Sequence, residues 1–169
     1  MIVYHCYGGT HSSPVAAAIH LGFLDPHRLP QPRQLVELPF YDRISPSGYG
    51  ALRYMGQDAA KNQIYVMGVG YHRDLMRRLV PKVAGILGGN PDHLLLVDVY
   101  PHVNWYMKVG GFISRRLGLV AIGRPLVILG TRRAYPKLAE AVKEVWRNLA
   151  RNTVSRLPEK VQVKRGLMD

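Results

Sequence analysis

A chain of 169 residues, 47% of them apolar, suits one compact domain that buries about two-thirds of the surface its unfolded form would expose. Its composition excludes intrinsic disorder, and no apolar run reaches the roughly 20 residues of a membrane span. Net charge is +12 and unevenly spread: residues 1–110 hold 10 basic and 7 acidic side chains, residues 111–169 hold 13 and 4. That basic final third can attract a polyanion such as RNA, DNA or a ribosomal surface, although no helix-turn-helix, zinc-knuckle or aromatic ribonucleoprotein pattern accompanies it. One cysteine excludes an internal disulfide and suits a reducing cytoplasm. The start of the chain reads as a strand rather than a secretory leader, so the expectation is a cytoplasmic protein without a membrane partner.

In chain order, Ile2–Tyr7 reads as a buried strand. It is followed by Gly8-Gly9-Thr10-His11-Ser12-Ser13 and then by a helix over Pro14–Leu21, with Gly22 beyond its end. Strand, glycine-rich turn and helix start bring free amides, hydroxyls and the positive end of a helix dipole to one point, which favours a phosphate. Asp25–Pro39, with four prolines, predicts an extended connection holding one short strand at Gln34–Leu38. Tyr41–Lys61, rich in Gly, Ser and Tyr, predicts a lid or a long loop capped by a short helix.

Strands are then expected at Gln63–Val69, Leu94–Val99 and Leu126–Leu129, and helices at Arg73–Leu87, Asn104–Leu117 and Tyr135–Arg151. In the last helix Leu138, Val142, Val145 and Leu149 form a packing face, while Lys143, Arg147 and Arg151 make a basic row that Glu140 and Glu144 partly neutralise. The tail at 155–169 is basic, and either adds an edge strand at Lys160–Lys164 or stays mobile. Alternating runs of this kind predict a single three-layer α/β domain over 1–169, a mostly parallel sheet of about five strands with helices on both faces.

The first loop departs from the Gly-x-x-x-x-Gly-Lys-Ser/Thr phosphate loop, because His5, Thr10 and His11 stand at its glycine and lysine positions. It is closer to the His-Cys-x-x-Gly-x-x-Arg-Ser/Thr loop of protein tyrosine phosphatases. His5-Cys6, Gly9 and Ser13 match, and Ser13-Pro14-Val15-Ala16-Ala17-Ala18 resembles the continuation in the low-molecular-weight branch. That resemblance implies a low-molecular-weight-phosphatase-like fold and a Cys6 thiolate that attacks phosphorus. Ser12 stands where the family's arginine grips the phosphoryl oxygens, with His11 beside it as a partial substitute. The strand–Tyr7-Gly8-Gly9-Thr10-His11-Ser12-Ser13–helix opening also resembles an uncharacterised domain-of-unknown-function family from spore-forming Gram-positive bacteria. That likeness implies a bacterial, cytoplasmic setting and no established reaction.

At the carboxyl ends of the other strands, Leu94-Leu95-Leu96-Val97-Asp98 resembles the second motif of phosphate-loop enzymes, whose aspartate holds Mg²⁺ beside a nucleoside phosphate. Gly68-Val69-Gly70 allows close approach of backbone to a ligand, and Gly130-Thr131-Arg132-Arg133 is expected to offer two arginines to phosphates. Asn104 suits a helix N-cap better than a ligand contact. The candidate catalytic set is therefore Cys6, His11 and Asp98. The candidate binding set is Gly8, Gly9, Thr10, His11, Ser12, Ser13, Arg132 and Arg133, with Asp98 as the candidate Mg²⁺ ligand. Seven histidines without an HExxH or Cys-x-x-Cys spacing do not predict zinc. The function expected is binding of a phosphorylated small molecule or nucleotide, with phosphoryl transfer as its chemical extension. The alternative is a basic, non-enzymatic nucleic-acid- or ribosome-associated protein acting through residues 111–169.

Overall fold

The structure, a computed structural model, describes residues 1–44 and 46–155. Its centre is β1 (Ile2–Cys6), buried at all five positions. Such a strand must be covered on both faces, and alternation decides what each side chain meets. Ile2, Tyr4 and Cys6 enter the larger core with α1 (Ser12–His20) and with Leu138, Val142 and Val145 of α5 (Val120–Ser155). Val3 enters a smaller cluster with Met67 and Val69, closed by Met76 of α3 (Arg73–Ile86). Helices thus lie on both faces.

The described sheet has four strands in the order β2-β3-β1-β4, with β2 at Arg53–Gln57, β3 at Gln63–Gly68 and β4 at Leu95–Asp98. β1 pairs in parallel with β3 and β4, whereas β2 runs antiparallel along β3. The domain is α/β with a mostly parallel sheet, as expected, but two of the expected strands are helical. Gln34–Leu38 falls largely in α2 (Pro32–Glu37), where Pro32 occupies the first turn and Gln34 Oε1 accepts the Gln31 amide at 2.8 Å. Leu126–Leu129 lies inside α5, with Val127 fully buried. A four-residue apolar run cannot by itself distinguish a buried strand from a buried helix. Conversely, β2 emerges from the segment expected to be a lid or loop. The expected strand at Lys160–Lys164 lies outside the described residues.

Two features place the site. The first turn of α1 follows β1 at the carboxyl end of the parallel strands, and all nine residues of α1 are buried. Opposite it, α4 (Trp105–Gly111) continues into a π-helical turn at Phe112–Arg116 and then doubles back as α5. Asn104 caps α4, accepting the Met107 amide at 3.1 Å and donating to the Gly130 carbonyl at 2.7 Å. The α4 and α5 backbones touch: a Cβ on Gly110 would stand 2.7 Å from Val127 N, and one on Gly123 would stand 2.4 Å from Ser114 N.

Candidate functional site

The loop after β1 is held from behind. Val69 N–H donates to the Cys6 carbonyl at 3.0 Å and Gly70 N–H to the Tyr7 carbonyl at 2.9 Å, which extends the β1–β3 ladder past its strand ends. Gly9 has φ +67°, and a Cβ there would lie 2.4 Å from Gly68 N, so this glycine answers to backbone contact as well as to turn geometry. Gly9 N–H donates to Cys6 Sγ at 3.2 Å, and Ser13 Oγ lies 3.4 Å from the same sulfur. The amides of Gly8, Thr10, His11, Ser12 and Ser13 have no partner among the described residues. Ser12 Oγ is fully buried and likewise has none. An orphan hydroxyl beside free amides at a helix start is a cost unless an acceptor visits.

Thr10 has a different role. Its hydroxyl donates to the Phe40 carbonyl at 3.0 Å and accepts the Arg43 and Ile44 amides, while its carbonyl accepts Asp42 N–H. Both polar groups fasten the loop to residues 40–44. Asp42, fully buried, is the centre of that junction. Its carboxylate accepts from His11 Nε2 at 3.2 Å, from Ser114 Oγ at 2.9 and 3.0 Å, and from Arg124 Nε at 3.0 Å; Arg115 Nε lies 3.1 Å away. Burial pushes the Asp42 carboxyl up, but the hydrogen bonds from His11, Arg124 and Ser114 outweigh it and hold the group at about 2. With Nε2 donating to Asp42, a neutral His11 carries its lone pair on Nδ1, where it can accept a hydrogen bond.

Between loop and hairpin lies a cleft of about 510 Å³. Cys6, Tyr7, Gly8, Thr10, His11 and Ser12 line one side; Tyr100, Val103, Met107, Lys108, Gly111, Phe112, Arg115 and Arg116 line the other, with Ile44, Tyr49 and Tyr71 at the margin. Tyr7 packs edge-on to Tyr49 and Tyr71, with centroids 5.7 and 4.9 Å away. Hydrogen bonding to Tyr71, then burial, pushes the Tyr7 phenol up to about 12. Among the described residues the lining contains cations, phenols and a thiol, and no carboxylate.

The expected site residues therefore divide. Cys6, Gly8, Thr10, His11 and Ser12 line the cleft; Gly9 and Ser13 stand behind it, against Cys6 and Gly68. Asp98 is not part of the lining. It accepts the Tyr100 amide at 3.0 Å and pairs with Arg73 at 3.4 Å. His5 Nδ1 lies 3.9 Å from that carboxylate, beyond hydrogen-bond reach; both ring nitrogens are buried without partners, and burial pushes the imidazole down. Arg132 and Arg133 do not follow a strand: they belong to α5, where Arg133 stacks 4.3 Å over the Tyr106 ring. Among the described residues, no group of three or more His, Cys, Asp or Glu side chains is arranged to hold a metal ion. Three residues of this region, Asp42, Arg115 and Arg116, lie in no motif that the sequence marks. Asp42 is the lone acid in 38–57, the only hint the sequence offers.

Fold and cleft together define an α/β protein with a thiol-centred, amide-rich loop facing a basic wall. The chain belongs to the family described as "Protein of unknown function (DUF3189)", whose model matches residues 1–147 and so spans every element that builds the cleft. Neither the curated proteins nor the solved structures gave a match. No helix among the described residues is long and apolar enough to cross a membrane.

Proposed function

We propose that the cleft binds a phosphorylated ligand, with its phosphoryl oxygens on the free amides of residues 8–13 and on Ser12 Oγ. The observation that carries this reading is the Ser12 hydroxyl, wholly buried and unpartnered among the described residues, at the first residue of a helix. A ligand oxygen supplies the missing partner, and the acid-free lining favours an anion. Cys6 adds a chemical extension. Its sulfur accepts the Gly9 amide and neighbours Ser13 Oγ, the surroundings a thiolate needs to attack phosphorus and release an alcohol or phenol, leaving a phosphocysteine for water to cleave. His11 Nδ1, with Nε2 held on Asp42, would take the proton released by the Cys6 thiol and return it to the leaving oxygen. The lone cysteine, a free thiol, fits a cytoplasmic setting.

The test is titration with inorganic phosphate and phenyl phosphate, followed by heat or chemical-shift change. Wild type is expected to bind both, and Ser12→Ala to bind each several-fold more weakly with an unchanged fold. Gly9→Val is unsuited to this test, because a side chain there collides with Gly68. Absence of saturable binding in the wild type refutes the reading. Turnover of phenyl phosphate is expected to vanish in Cys6→Ser; turnover that survives it excludes a thiolate nucleophile.

A second reading, attraction of nucleic acid to residues 111–169, rests on charge. Arg147 of the basic row is ion-paired to Glu140, which removes part of that charge from the exposed face. Binding that weakens steeply with salt and with charge reversal at Lys143 supports it; salt-indifferent affinity rules it out.

A further inference from the structure

The loop itself carries no permanent positive charge, and a phosphate monoester at neutral pH brings about two negative ones. Cations reach the cleft from the opposite wall as Lys108, Arg115 and Arg116. Their circumstances differ. Arg115 is occupied, its Nε 3.1 Å from Asp42 and 3.3 Å from Ser114 Oγ. Lys108 Nζ stands 5.5 Å from the Tyr100 ring centroid. Arg116 makes no ion pair or hydrogen bond among the described residues, although it borders the cleft and its charge favours the ionised phenols of Tyr7 and Tyr49.

The turn that bears these residues is π-helical, closed by Leu117 N–H donating to the Phe112 carbonyl at 3.1 Å. Such a turn inserts one residue into a helix and recurs at functional sites. Here Ser114 and Arg115 bind Asp42, and Gly123 packs on Ser114 N, so the turn is anchored to the same carboxylate that holds His11. The adjacent Arg116 is thereby presented to the cleft from a rigid support, with its guanidinium unspent.

Resting on the phosphate-binding reading above, we infer that Arg116 is the guanidinium that grips a dianionic phosphate monoester seated on the first loop. It replaces, from a different element, the positive charge that the loop lacks at Ser12. Its planar fork takes two phosphoryl oxygens side by side, and Lys108 adds a second, less directional charge. Selectivity follows from the charge balance: a dianion is preferred over a monoanionic ester of the same shape.

Titration of the full chain with phenyl phosphate and with phenyl sulfate tests this. Wild type is expected to prefer the phosphate. Arg116→Ala is expected to bind phenyl phosphate roughly tenfold or more weakly and to lose most of that preference, with melting temperature unchanged because the side chain is exposed. Arg116→Lys is expected to recover only part of the affinity, and Lys143→Ala, a remote charge on α5, to stay within about twofold of wild type. If Arg116→Ala binds like wild type while Ser12→Ala does not, the grip is refuted and the phosphate reading stands. Equal losses in Arg116→Ala and Lys143→Ala reduce the effect to overall charge and overturn the assignment. Full recovery with lysine overturns the bidentate geometry. Wild type that binds neither phosphate nor its ester brings down both readings.

Discussion

α1 is bracketed by two histidine–aspartate pairs, and the pairs are built for different ends. At its C-terminal end His20 is saturated: Nε2 is 3.1 Å from Asp58 and Nδ1 is 2.7 Å from the Tyr4 hydroxyl, with Trp146 edge-on at 6.0 Å. Since the Asp58 carboxylate only accepts, His20 donates from Nε2 and takes the Tyr4 proton's hydrogen bond at Nδ1. Burial pushes the imidazole down and the Tyr4 phenol up, so both groups stay neutral in the fold. At the N-terminal end His11 spends one nitrogen on Asp42 and keeps the other, beside the cleft, without a partner among the described residues. A closed chain of hydrogen bonds stabilises, whereas an open one has capacity for a guest. The pairing of residue types is the same; the number of unspent atoms differs.

The strongest way to break this comparison is to remove each carboxylate. Asp42→Ala leaves Arg115, Arg124 and His11 around a buried gap, and an expected loss of about 3–5 kcal/mol should appear in urea unfolding. Asp58→Ala, at a partly solvated turn, should cost about 1–2 kcal/mol. Equal losses would show that the two ends are energetically alike.

Acid titration sharpens the same contrast. Asp42 is held below the ordinary carboxyl range, so its contribution is complete above about pH 4 and is lost as pH falls toward 2, about 2 kcal/mol in all. Asp42→Asn should abolish that segment of the stability–pH curve. His5 and His20 have depressed affinities for protons, so a separate, earlier decline should begin below about pH 6.5, where the unfolded chain takes up protons that the fold refuses. A curve flat from pH 7 to 5 would contradict the buried neutral histidines.

The smallest effects separate function from support. His20→Gln is expected to lower stability by about 1 kcal/mol and leave phosphate affinity within twofold. His11→Gln, whose amide can still donate to Asp42, should cost no more than about 1 kcal/mol and bring a several-fold loss in phenyl phosphate turnover. Calorimetric titration, urea unfolding and turnover assays on both variants check the pair.

What the sequence disclosed follows from how local each signal is. β1, β3 and β4 were legible because short apolar runs end in Gly or Asp, and the loop because seven consecutive residues carry it. The first half of α5 is not legible in the sequence, because Pro125 and Pro136 resemble boundaries and because Leu126–Leu129 is too short to show a period. β2 was missed at an antiparallel edge with a register shift between Tyr54 and Gly56, where alternation fails. On the cleft, Cys6, His11 and Ser12 sit in one contiguous segment that the loop pattern and its phosphatase resemblance mark. Asp42 and Arg116 carry no such local mark, since their surroundings depend on contacts across tens of residues, which one sequence does not encode locally.

The glycine seam between α4 and α5 governs more than packing. Because Gly110 and Gly123 bring the two backbones into contact, a single methyl group there must push the two arms of the hairpin apart. Lys108, Phe112 and Arg116 ride on that hairpin, so the gap between them and the thiol depends on glycines that do not line the cleft. The width of the cleft is thereby tunable from the rear of the molecule without altering a single side chain that lines it.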